Sequence, residues 1–272
     1  MDFRPLVYSP LQNAAIWLAG WIYGKVSYDE LTETFTSYGL RHVLCTSDTR
    51  GTPQTSEGDF IDILRRLRRI STPLVAHLQP GEPVLRLVFG GPGQVPGLIA
   101  GSPSAETARR TGSSALIIRD VDPDTSHILV PDEGFGDPHQ VVSWRWFTEH
   151  GRVPEPDHLG PGDADRLLAN ATERVADRIT ARGFTRSSLI DPRLTVGRLS
   201  DFYAGPGLPD SVTPRAGKLL ARADRVAAII ESVVTEAGDH SHDAELTELL
   251  GHLRRARMAG VAYAVGEYGR GS

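Results

Sequence analysis

Cysteine is almost missing from this chain: Cys45 is the single one in 272 residues. One thiol cannot close an internal disulfide, and it excludes a structural zinc site built on several thiolates. Val43 and Leu44 before it are apolar, so the thiol reads as a buried packing group rather than a nucleophile. Lysine is nearly as scarce. Lys25 and Lys218 are the only two, and every other residue among the 29 Lys and Arg is arginine. With abundant Ala, Gly and Pro, this reads as the codon usage of a high-GC genome. An arginine cluster here is therefore weaker evidence for anion binding than usual.

A net positive charge is also lacking. The formal charge is −5 and the pI about 6.0, so no global basic field draws in nucleic acid or an anionic membrane. There is no long apolar run. Residues 11–23 come nearest, but Gln12 and Asn13 interrupt them and the run is too short to span a bilayer. The opening Met1-Asp2-Phe3-Arg4-Pro5 has no basic region followed by an apolar one, so no secretory leader is expected and the cytoplasm is the expected compartment. No internal repeat, phosphate-loop motif, dinucleotide fingerprint, Gly-x-Ser-x-Gly elbow or His-Glu-x-x-His is found. No catalytic residue, metal site or cofactor is expected.

What remains is a globular composition, 40% hydrophobic and 23% charged, long enough for one large core or two smaller ones. Three zones follow one another. In the first, Ser9-Pro10-Leu11-Gln12 and Ser27-Tyr28-Asp29-Glu30 are helix starts with capping chemistry, predicting helices over 10–23 and 28–38. Arg41 to Cys45 suits a short strand. Phe60, Ile63, Leu64 and Leu67 recur at helical spacing and predict a helix over 57–70.

The second zone, about 79–150, is strand-rich, with runs at 84–89, 95–100, 114–119, 127–130 and 140–147. The short connections predict antiparallel neighbours, with one helix over Ser102–Thr111 between two of them. The third zone is helical again. Asp163 caps a helix to about Arg182, a short helix is predicted around Val196–Tyr203, and Thr213-Pro214 opens a strongly periodic one. The last runs from about His242 to Tyr268. The tight linker Gly238-Asp-His-Ser-His makes these two an αα-hairpin. Gly251 and Gly260 inside the last helix cost about 1 kcal/mol each relative to Ala, which close packing against another element would explain.

The fold class read from this is α+β: a small antiparallel sheet flanked by an N-terminal helical segment and a C-terminal helical bundle containing a long αα-hairpin. Residues 1–158 form the α+β domain, its sheet over 84–147. Residues 159–272 form a helical domain packed on the first as one body.

Two places carry candidate binding residues. Gly101, Ser102, Ser104 and Thr107 lie where a strand runs into a helix start. Backbone N–H groups and hydroxyls there face the positive end of the helix dipole, which suits a phosphate or carboxylate; the competing reading is a plain N-cap. Gly90-Gly91-Pro92-Gly93 is also glycine-rich, but its proline fits a rigid turn. Arg65, Arg66, Arg68 and Arg69 form a face for an acidic partner, set against a solvated helix face; Arg254, Arg255 and Arg257 take the same discount. His240, His242 and Asp243 offer at most weak adventitious metal binding, and the remaining histidines, His42 and His127 among them, are scattered singly. Trp17, Trp21, Tyr28 and Phe35 read as core; were that face exposed, it would favour a protein partner.

The expected function is a non-enzymatic binding or adaptor protein, with a protein partner or self-association. One alternative is an enzyme or sensor taking a small anionic ligand at 101–107. The other is nucleic-acid association through Arg65–Arg69, which the net charge disfavours.

Overall fold

Capping chemistry starts the helix expected at 28 where the sequence places it, whereas the helix expected from 57 begins at Phe60 and Asp163 lies in the first turn of its helix rather than at the cap. The Ser27 hydroxyl accepts from the Glu30 N–H at 3.2 Å and the Glu30 carboxylate accepts from the Ser27 N–H at 2.8 Å. In the computed structural model, which describes residues 4–46, 58–91, 97–112, 114–132, 134–155, 159–181, 192–237 and 243–271, this box opens α3 (Tyr28–Thr36). Before it come α1 (Arg4–Val7) and α2 (Leu11–Ile22). The Ser9 hydroxyl accepts from the Leu11 N–H at the start of α2, and Gly24, at φ +67°, turns the chain after it.

Next are β1 (Gly39–Thr46), β2 (Gly58–Asp59) and α4 (Phe60–Val75). A second capping box, Asp59 with Asp62, sets the start of α4 at Phe60. The helix continues past the expected end at 70 and through Pro73, because Ser71 and Leu74 are both buried. The middle zone is β3 (Leu85–Phe89), α5 (Pro103–Arg110), β4 (Ser114–Arg119), β5 (Thr125–Pro131) and β6 (Asp137–His150). Of the run expected over 95–100, residues 97–100 form a turn with Gly97 at φ +91°, while 95 and 96 lie outside the described residues. The helical zone is α6 (Pro161–Ala181), α7 (Pro192–Ala204), α8 (Pro214–Ala237) and α9 (Asp243–Arg270).

The six strands form one sheet in the order β2-β1-β6-β5-β4-β3. Four of them, β3 to β6, make the expected antiparallel meander. The sheet is nevertheless mixed and wider than its middle zone. β1 joins it in parallel to β6, with His42 opposite Val142 and Leu44 opposite Trp144. A parallel pair spanning that much chain leaves no local signal, and the whole meander serves as its crossover.

One face of the sheet carries Leu44, Leu87, Phe89, Leu116, Leu129, Trp144 and Trp146. It is covered by α2, α3, α4 and the second half of α9, which contributes Val261, Ala264, Val265 and Tyr268. Fully burying a leucine or phenylalanine here contributes about 1.5–3 kcal/mol. The other face, with Val88, Ile117, Ile128, Val130 and Phe147, is covered by α5 through Ala108. A second core lies among α6, α8 and the first half of α9, with Leu168, Val175, Leu219, Ile230, Leu249 and Leu253.

At ~1.5 Å per residue, the 28 residues of α9 span about 42 Å and line both cores. Gly260 lets α8 in close, since a Cβ there would come within 2.7 Å of Leu220 Cδ2; Gly251 has open space around it, so close packing accounts for only one of the two glycines.

Candidate functional site

The strand-to-helix turn at 101–107 is built as expected, but its N–H groups are met from inside. Gly101 takes φ +76°, and Ser102 caps α5 by accepting from the Ala105 N–H at 3.2 Å. The Ser104 N–H donates to Glu149 Oε1 at 3.2 Å. Glu149 projects from β6 and is itself buried, so the positive end of α5 already has the carboxylate it favours. Ser104 and Thr107 are buried, Ser102 is half-buried and Gly101 exposed. The four residues come together, but as a capped helix end.

The Arg65–Arg69 face is partly committed to the fold. Arg66 lies over the Trp146 ring at 4.8 Å from its centre, and Arg68 over Trp21 at 4.1 Å. Arg65 pairs with Asp62 at 3.2 Å, and Arg69 is exposed. Among these four, then, two guanidiniums lie on core tryptophans. The possible metal ligands His240 and His242 lie outside the described residues, as does the Asp243 side chain. Cys45 is half-buried rather than fully buried.

Two histidines that the sequence scatters singly fall into networks. His127 Nε2–H donates to Asp120 Oδ2 at 2.9 Å. Its Nδ1 accepts from the Trp146 indole at 3.4 Å and faces the Thr148 hydroxyl at 3.1 Å. Carboxylate, imidazole and hydroxyl in a row resemble a nucleophile relay. However, His127 and Thr148 are direct ladder partners and the indole already competes for the basic nitrogen, so the row is a cross-strand polar ladder that fixes the sheet end.

His42 is buried in a cluster of Phe35, Phe60, Phe135 and Trp144. Its Nε2 donates to the Phe35 carbonyl at 2.8 Å and its Nδ1 accepts from the Trp144 indole at 3.0 Å. Burial lowers its pKa, against the raising effects of the Phe35 carbonyl and Asp132, so the neutral form is the one the site holds.

Beside His42 the sheet edge is open. Among the described residues, β2 pairs with β1 only at Val43 and Leu44, and Gly39–His42 have a strand neighbour on the β6 side alone. Where β2 would continue lies a cavity of about 420 Å³, lined by Tyr28, Phe35, Leu40, His42, Phe60 and Ile61, with Arg41 and Asp59 as its charged lining residues. Leu40 is 68% exposed and Tyr28 45% exposed. Of the aromatics expected in the core, Trp21 and Phe35 are buried, Trp17 is half-buried with its indole donating to the Gly207 carbonyl, and Tyr28 is on the surface. The sequence signal for this cleft is slight: Leu40 beside a capping-box helix, in a strand whose edge only the fold reveals.

Comparisons with known proteins place the chain without assigning it an activity. Profiles of the Rv1486c-like protein N-terminal domain and C-terminal domain match residues 12–158 and 162–258. A relative named as the uncharacterized protein ML1804 of Mycobacterium leprae is 26% identical over 94% of this chain and 97% of its own length. The uncharacterized protein Rv1486c of Mycobacterium tuberculosis is 23% identical over 82% of each. No solved structure matches. No helix among the described residues is long and apolar enough to cross a membrane.

Proposed function

The chain belongs to the Rv1486c-like family, and from its geometry we propose that it is a binding protein that captures an extended segment of a partner polypeptide along the free edge of β1. The observation that carries this reading is the coincidence of the unpaired stretch Gly39–His42 with the cleft between Tyr28, Leu40, Phe60 and Ile61. A strand laid on the track of β2 meets free backbone groups for affinity and an apolar cleft for alternate side chains. Asp29 and Glu33 are exposed on the neighbouring row of α3 and Asp59 lines the cleft, so the complementary segment alternates apolar residues and carries Lys or Arg.

The other two readings have less support. At 101–107 the chain supplies its own carboxylate, and at Arg65–Arg69 two guanidiniums pack on tryptophans. Residues 1–158 and 159–272 are taken as units that fold together, supported by the α9 residues in both cores.

The test is selection from a displayed library of extended peptides against the wild type and Leu40→Asp. Enriched peptides should alternate apolar residues. They should bind Leu40→Asp about ten-fold more weakly or worse, and lose binding when N-methylated on the edge-facing amides. No enrichment, or equal binding to Leu40→Asp and by N-methylated peptides, overturns the proposal. Sedimentation of the free protein supplies a second arm: a dimer that Leu40→Asp dissolves makes a second copy the occupant and removes the partner reading.

A further inference from the structure

At the far edge of the sheet, two hydrogen-bond donors are poorly met among the described residues. The Phe89 N–H, at the end of β3, is met by the thioether of Met258 at 3.4 Å, a weak acceptor, in place of a carbonyl. One turn earlier on α9, Arg254 lays its guanidinium against Gly91. A Cβ at that glycine would come within 2.6 Å of Nη2, 2.7 Å of Cζ and 3.0 Å of Nη1. Arg254 Nη1 is buried and has no hydrogen-bond partner. The charge acting on this guanidinium is Arg255, of the same sign; burial first and Arg255 second lower its pKa, and it stays protonated at neutral pH.

A half-buried cation with no acid beside it is unfavourable unless something completes it. Arg257, one turn further along the same helix, shows a cation that has an acid beside it, although its Nη2 also lacks a partner. It is fully buried and donates to the Val7 carbonyl at 2.8 Å, to Gln12 Oε1 at 2.6 Å and to Asp224 Oδ1 at 2.6 Å. Codon usage explains how many arginines the chain has. It does not explain one placed half-buried, with no counter-ion among the described residues, against the buried Gly91 backbone.

We propose that Arg254, against the Gly91 backbone just after β3, binds the anionic group, phosphate or carboxylate, of a small molecule. The guanidinium supplies charge-assisted donors, and the missing side chain at Gly91 is what lets it lie against the backbone there. This site is separate from the β1 cleft, and either can fail without the other.

The experiment is calorimetric titration of the full chain with inorganic phosphate and with citrate at constant ionic strength, using wild type, Arg254→Gln and the exposed neighbour Arg255→Gln. Wild type should bind one of the two with Kd of about 1 mM or tighter. Arg254→Gln should lose about ten-fold or more, with Arg255→Gln changed much less; which anion binds separates phosphate from carboxylate chemistry. As a second readout, Arg254→Met should melt higher than wild type in anion-free buffer, because an unpaired charge has been removed, and should not respond to the anion that raises the wild-type Tm. No heat with either anion, an equal response in Arg254→Gln, or a lower Tm for Arg254→Met without anion overturns the proposal.

Discussion

The two edges of the sheet are finished in opposite ways. Along β3 the chain lays its longest described helix: Met258 meets the Phe89 N–H, and Gly266 of α9 abuts the Gly81 carbonyl just before the strand. Along β1, among the described residues, there are only the two residues of β2, and Gly39–His42 line a cleft. An uncovered strand edge is a template for another strand, so the first edge has been closed to other chains and the second has not. The same helix carries a buried ion pair: Arg257, Asp224 and Gln12 join α9, α8 and α2 under Tyr8, while the open edge is held by tilted and edge-on rings around a neutral His42.

The largest expected effect is on α9. Arg257→Leu strands the Asp224 carboxylate, whose pKa burial already raises against the pull of Arg257. It should remove about 3–5 kcal/mol of stability, read from denaturant midpoints, and adding Asp224→Leu should restore most of it. A single variant as stable as wild type would show that this pair does not hold the helices together.

Next comes Gly266→Ala, whose methyl group must push α9 away from the Gly81 carbonyl, at about 1–3 kcal/mol. Gly251→Ala on the same helix has open space and should gain up to about 1 kcal/mol. Equal thermal shifts for the two would contradict the packing described for α9.

Acid should act on the open side. His42 has a folded pKa below its usual 6.5, so the unfolded chain binds more protons in the interval between the two. The stability this histidine contributes is complete above about pH 6.5 and is lost as pH falls through that interval. His252, lowered mainly by burial, adds in the same direction. Urea midpoints at pH 7.5 and 5.5 should differ less in His42→Gln than in wild type; an unchanged difference would remove His42 from the account.

The smallest effect on stability belongs to Leu40→Asp. At 68% exposure it should move stability by no more than about 0.5 kcal/mol. A loss of about 2 kcal/mol or more would mean that the β1 edge is covered rather than free.

What the sequence made legible was what short-range chemistry decides. The Ser27–Glu30 box, the Gly24 turn, the Ser102 cap and the periodic stripe of α8 each depend on residues a few positions apart, and each is in place. The parallel docking of β1 on β6 depends on residues about a hundred positions apart, so no local pattern could carry it. The candidate sites divide the same way. Ser102 was readable as a cap, but Glu149, which completes that helix end, comes from another strand. Arg254 and Arg257 look alike in sequence, and only the elements packed around α9 give one an acid partner and leave the other without one among the described residues.

The length of α9 also bears on how the molecule is made. Val261, Ala264, Val265 and Tyr268 cover a sheet whose strands all precede them in the chain, so on the ribosome the meander is translated well before the helix that closes it. Until then Leu87, Phe89 and the edge of β3 are left without that cover, in a nascent chain prone to association. Release of α9 is therefore the committing event of biogenesis, and a stall before it should expose this chain to chaperones and proteases as an unfinished sheet.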